Sequence, residues 1–220
     1  MRRSFLFLLL LSSGGAVQAQ ISAGTTLLSG AINYSSRKQE ATTGAFGTPP
    51  PPTKESQFSF SPTAGYFVAD NLALGLMLTV SSGQVNRVDY DSYTGRYREQ
   101  EINFHGLAVG PMVRYYKFLG DNFAFYGQVG AGYSSSGSEM EGSPIETSNK
   151  GVYAALTPGL VYFPVPKVGL EVTLNGIRYA SLKEKTDYGN NNTQEITNTG
   201  FDFGLGVEDV NLGISFYLGR

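Results

Sequence analysis

The chain has 220 residues, 16 of them basic and 18 acidic, for a net charge of −2, with one histidine and no cysteine. This balance excludes the basic surface that nucleic-acid binding needs. It also excludes disulfides, thiolate chemistry and a cysteine-linked lipid anchor, and the lone His105 excludes a multi-histidine metal centre.

Arg2 and Arg3 precede the apolar run "FLFLLLL" (Phe5–Leu11) and the small-residue stretch "SSGGAVQA". This is the layout of a secretory signal peptide, residues 1–19, with cleavage expected after Ala19. The apolar run is too short to cross a bilayer as a helix, and no later run is longer. Residues 20–220 are then one domain of moderate size.

From there period-two alternation recurs to the end of the chain, without a helical pattern. Eight strands are expected: Thr25–Ser35, Gln57–Val68, Leu72–Val85, Glu99–Leu119, Phe123–Ser136, Gly151–Phe163, Val168–Ser181 and Gly200–Leu218. The connections between them alternate. Long polar ones (Ser36–Ser56, Asn86–Arg98, Gly137–Lys150, Leu182–Thr199) take turns with "ADN" (69–71), "GDN" (120–122) and "PVPK" (164–167). All tight turns therefore fall at one end of a meander and all long loops at the other. The predicted fold class is all-β, an eight-stranded antiparallel up-and-down transmembrane β-barrel, with the short turns periplasmic and the long loops outside.

Orientation follows from the two faces. In the third strand Leu72, Leu74, Leu76, Leu78 and Val80 alternate with Ala73, Gly75, Met77, Thr79 and Ser81. A narrow eight-stranded lumen has room for small side chains and a few interlocked polar ones, whereas Arg on the lipid face costs about 2–4 kcal/mol near the midplane. The leucines are thus expected to face lipid, and Arg114, Gln128 and Glu171 to form a polar network inside. Aromatic residues group at both ends: Tyr66, Tyr115, Phe118, Phe123, Phe125, Tyr162 and Phe216 at the turn end, and Tyr34, Tyr133, Tyr153, Tyr179, Phe201 and Phe203 at the loop end. Two such girdles match two membrane interfaces. Pro62, Pro111 and Pro158 interrupt strands and predict bulges or local bends, and a phase change in the last strand predicts a bulge near Glu208–Asp209.

The phrases "GYFVADNLALGL", "GPMVRYY", "FAFYGQVGAGY" and "PGLVYF" resemble the porin-family branch of small outer-membrane β-barrels of the OmpX/OmpA-transmembrane type. The resemblance spans most strands and implies an integral protein of the outer membrane. The ending "NLGISFYLGR" is similar to the signal read by the barrel-assembly machinery, through Asn211, Gly213, Phe216 and Leu218, but it closes on Gly219–Arg220 rather than on an aromatic residue. The family implies no single activity, since its members serve as anchors, adhesins, enzymes or narrow pores.

No nucleotide motif or Ser–His–Asp arrangement stands out, and no cofactor is called for. Outer-membrane acyl hydrolases carry a serine two residues after their histidine; here that position is Leu107. The segment "VDYDSYTGRYREQE" (88–101) offers Tyr90, Tyr93, Arg96 and Tyr97, residue types enriched at binding surfaces. The expected role is non-enzymatic, structural or surface-interacting through the extracellular loops. A narrow pore for small solutes is the alternative, and a lipid-acting enzyme a third. Expected partners are outer-membrane lipid, the assembly machinery and an extracellular ligand or surface, with no nucleic acid.

Overall fold

The computed structural model describes residues 20–43, 49–91, 93–189, 192–204, 206 and 210–220. The signal segment and the bulge expected at Glu208–Asp209 lie outside these residues. Ten strand segments follow in order: β1 Thr26–Gln39, β2 Thr53–Ala69, β3 Leu72–Asp91, β4 Arg96–Phe118, β5 Phe123–Met140, β6 Glu146–Val165, β7 Val168–Leu174, β8 Gly176–Asp187, β9 Thr193–Gly204 and β10 Val210–Leu218. All pairings are antiparallel, and the β5–β6 pairing closes the sheet. Because β6 pairs first with β8 and then with β7, and because β9 pairs with β8 while β10 pairs with β7, these four segments are two interrupted strands. The architecture is a closed eight-stranded antiparallel barrel.

The two faces separate as the alternation demands. Leu74, Leu76, Val80, Leu107, Val109, Val113, Val129, Leu170 and Val172 are exposed on the outside, while Ala73, Met112, Arg114 and Glu171 are buried within. In a membrane this outer band is solvated by hydrocarbon. The phase change in the last strand is present in the described residues: Phe201 and Phe203 share one parity, Leu212, Ile214, Phe216 and Leu218 the other, and all are exposed.

Three expectations need correction. Three of the four long connections are largely strand, all but Ser36–Ser56: β3 has 20 residues and β4 has 23, and their ladder continues from Leu72–Tyr115 to Asp91–Arg96. A membrane-crossing strand needs about 9–11 residues, so the hairpins stand well above the bilayer. Their polar residues sit on strands solvated on both faces, where pairing satisfies the backbone as well as water would. Phe118 is buried in the lumen, not part of the turn-end girdle. Tyr153 also turns inward, its ring lying 5.7 Å from the Arg178 guanidinium.

The prolines behave unequally. At Pro62 and Pro111 the ladders with β3 and β5 respectively omit the proline and one neighbour, with register unchanged on either side. No bulge is needed there, since a missing N–H only removes a bond. Opposite Pro158 the partner strand does break: Leu156 pairs with Ile177 but Gly159 with Thr173, and Asn175 lies between β7 and β8. Gly176 takes φ +69 at this break. An added Cβ there would strike the Leu156 carbonyl oxygen and come within 2.7 Å of the Pro158 ring, so only glycine fits.

The periplasmic half is filled. Phe67, Tyr116, Phe118, Tyr126, Phe163 and Tyr217 form a buried aromatic layer with Ile21, Leu27 and Val161. Phe118 and Phe163 stack at 5.5 Å, and Phe163 meets Tyr217 at 5.2 Å. The bare face makes room for them: a Cβ on Gly159 would lie within 2.7 Å of the Tyr126 ring and hydroxyl atoms. Both ends of the described chain fold over this layer. Ile21 N–H donates to Asn71 Oδ1 at 3.0 Å, and Arg220 lies 4.4 Å from the Phe163 ring centroid and donates to the Pro166 carbonyl.

Candidate functional site: a polar lock beneath a vestibule

Arg114 on β4, Gln128 on β5 and Glu171 on β7 are brought together in the lumen. Arg114 Nη1 donates to Glu171 Oε1 at 2.9 Å, and Arg114 Nε donates to Gln128 Oε1 at 2.8 Å. Sequence reasoning missed the phenols that complete the network. Arg114 Nη1 also donates to the Tyr116 hydroxyl at 3.1 Å, and the Tyr126 hydroxyl donates to Glu171 Oε2 at 2.9 Å. Tyr217 O–H donates to the Tyr116 oxygen at 3.2 Å, and Ser215 Oγ donates to Tyr217 at the same distance. The Arg114 guanidinium rests over the Tyr126 ring at 4.4 Å. The signal for these residues was available, since Tyr116 and Tyr126 stand two positions from Arg114 and Gln128 and so share their face.

Both charges are about nineteen-twentieths buried. Their carboxylate and guanidinium are satisfied by each other and by neutral hydroxyls, which is the condition for a buried pair to persist. The network ties β4, β5, β7 and β10 together across the lumen.

Above the lock lies a cavity of about 610 Å³ that opens outward. Its walls carry Ser59, Ser61, Thr63, Thr79, Thr157 and Thr173, with the lock as floor. Among the described residues no cluster of three metal-ligating side chains occurs. His105 lies on the outer face of β4, packed against Gly137, with Leu107 two positions on.

The surface candidates sit on the β3–β4 hairpin. Only Tyr93 is in its turn, fully exposed. Tyr90, Arg96 and Tyr97, expected in a loop, are on the paired strand ends. Tyr90 and Tyr97 are cross-strand partners with rings 5.3 Å apart, edge to face, which stiffens the tip. Asp91 opens the turn: its Oδ1 accepts from Tyr93 N–H at 2.9 Å and Thr94 N–H at 3.3 Å. The Thr94 side chain, then these backbone groups, hold its carboxyl below the ordinary range.

At the C-terminus Phe216 and Leu218 face outward, while Gly213 lies between Ala31 and Glu171 in the ladders. Asn211 Nδ2 donates to Asn175 Oδ1 at 3.1 Å, across the strand break.

Comparison with known proteins gives the following similarities. The crystal structure of the outer membrane protein OprG from Pseudomonas aeruginosa has 16% identity and a TM-score of 0.51, covering 90% of this chain and 98% of that one. Neisserial surface protein A follows with 14% identity, a TM-score of 0.41 and coverage of 90% and 99%. The attachment invasion locus protein Ail of Yersinia pestis has 15% identity, a TM-score of 0.37 and coverage of 89% and 99%. No curated protein sequence matches. The family model described as an outer membrane protein beta-barrel domain matches residues 5–210. With that match across nearly the whole of a closed, lipid-faced eight-stranded barrel, the chain belongs to the outer-membrane β-barrel family and resides in the outer membrane.

Proposed function

We propose that this protein is a non-enzymatic surface-interaction barrel that engages an extracellular partner through its projecting hairpins, chiefly β3–β4. The carrying observation is the contrast between the barrel's two ends. The periplasmic half is filled by the Arg114–Glu171 lock and the aromatic layer, whereas the β3–β4 ladder runs far beyond the bilayer and ends in exposed Tyr93 and Arg96. Rigid aromatic side chains on a pre-formed hairpin lose little freedom on binding. Asn211, Gly213, Phe216 and Leu218 serve the assembly machinery during insertion.

The test is deletion of residues 88–97, which retains the membrane barrel. Loss of adhesion or ligand capture by cells displaying the shortened chain is expected, with heat-modifiable migration unchanged. Undiminished capture overturns the reading. The narrow-pore alternative is read separately, by planar-bilayer conductance of the purified protein. A filled periplasmic half favours silence, and stable steps abolished by Glu171→Gln would establish conduction instead.

A further inference from the structure

The barrel closes through the β1–β10 and β5–β6 pairings, but among the described residues its outer part has an unpaired stretch of wall. β1 pairs with β10 only from Thr26–Leu218 to Ala31–Gly213. Above that level β1 continues to Gln39 with β2 as its partner, while Leu212, Asn211 and Val210 continue with β7. Among the described residues β9 pairs with β8 alone. A seam therefore separates β1 above Ala31 from β9 and the start of β10. After Tyr93 at the hairpin tip, the five most exposed large apolar side chains among the described residues are Tyr34, Phe201, Leu212, Ile32 and Phe203. All five flank this seam. The cavity reaches both lips, through Ala31 and Asn33 on one side and Asp202, Phe203 and Gly213 on the other.

Two charges line the cavity beside the seam. Arg178 on β8 and Asp202 on β9 are direct cross-strand partners, which places their Cα atoms about 4.5–5.5 Å apart. They nevertheless form no ion pair with each other or with any described residue. The Arg178 guanidinium lies 5.7 Å from the Tyr153 ring. The neighbouring residues Tyr179 and Phe201 are exposed on the outer face, so the two charges sit at the depth of the outer aromatic girdle, where lipid headgroups lie.

We propose that Arg178 and Asp202 form a site for a zwitterionic phospholipid headgroup of the phosphoethanolamine type, whose acyl chain leaves the barrel sideways through the seam. The phosphate accepts hydrogen bonds from the Arg178 guanidinium, and the ammonium faces the Asp202 carboxylate. An anion alone would meet Asp202, and a cation alone would meet Arg178; only a head with both charges, close together, suits both. The apolar lips cover the chain where it enters the bilayer. Backbone groups on open strand edges are costly against hydrocarbon, and a polar head with its solvating water offers them partners.

The full chain in nonionic detergent is titrated with 1-palmitoyl lysophosphatidylethanolamine and, separately, the phosphatidylglycerol analogue, with bound stoichiometry read by native mass spectrometry. One equivalent of the ethanolamine lipid is expected, at least tenfold tighter than the glycerol lipid. Arg178→Gln should weaken both by about tenfold. Asp202→Asn should weaken the ethanolamine lipid and strengthen the glycerol lipid, erasing the preference. Equal binding of the two lipids by the wild-type chain overturns the proposal, as does a preference that survives Asp202→Asn. Free phosphoethanolamine binding as tightly as the lysolipid overturns the role of the seam. The comparison of two lipids on the wild-type protein stands even if a variant fails to fold.

Discussion

Arg114 and Glu171 are 57 residues apart in sequence and 2.9 Å apart in space, the guanidinium of β4 meeting the carboxylate of β7 across the lumen. Removing one member leaves the other charged, buried and unpaired, which costs about 3–5 kcal/mol in comparable sites. Glu171→Ala should therefore lower the denaturant midpoint of the folded band markedly, measured by heat-modifiable gel migration in detergent. Arg114→Met combined with Glu171→Leu should recover much of the loss, because apolar groups of similar volume need no partner. A double variant as weak as the single one would show that the hydroxyls, not the pair, carry the stability.

Gly176 offers a test of the strand break. Its φ of +69 and the facing Leu156 carbonyl leave no place for a side chain. Gly176→Ala should destabilise the barrel by more than about 1 kcal/mol. Gly127→Ala is the matched control, since a Cβ there meets nothing within 4 Å. Equal urea midpoints for the two variants would mean that β7 and β8 rejoin without the break.

The orientation of the wall was legible because Leu74, Leu76 and Val80 alternate with small residues over a long strand, and one face must meet hydrocarbon. The same parity placed Arg114, Gln128 and Glu171 together. Depth along the strand puts Phe118 and Tyr153 in the girdles, whereas parity with Arg114 puts Phe118 inside. The upper strands are illegible for a different reason: residues such as 183–187 of β8 are polar on both faces, and a hairpin wetted on both sides leaves no amphipathic trace. The break at Asn175 left only an unremarkable Asn-Gly pair. The seam has no local signature at all, being a property of which strands fail to pair.

Asp91 gives the hairpin a pH dependence. Its carboxyl is held below its ordinary value near 3.8 by the Thr94 side chain and the Tyr93 and Thr94 backbone. A depressed folded-state pKa contributes stability above the unfolded value, and that contribution is lost as pH falls through the folded one. The tip should therefore loosen only in acid, below pH 3.8, with faster hydrogen exchange at Tyr93 and Thr94, while Asp91→Asn should abolish that dependence. Exchange protection unchanged down through that range would contradict the turn assignment.

Asn71 combines two roles in the β2–β3 turn. It adopts φ 62, a left-handed conformation that asparagine tolerates and branched residues resist, and its side chain accepts from Ile21 N–H while its backbone N–H donates to the Ile21 carbonyl. Asn71→Gly keeps the conformation and removes only the side-chain bond, a loss of about 0.5–1.5 kcal/mol, felt first as faster exchange at Ile21. Asn71→Val adds backbone strain of about 1–3 kcal/mol and should lower the midpoint of the whole barrel, because the Asn71 carbonyl also accepts from Tyr116 N–H at 2.9 Å. If glycine and valine behave alike, the turn's conformation is set by its flanking strands, and the hold on Ile21 is the only thing Asn71 contributes.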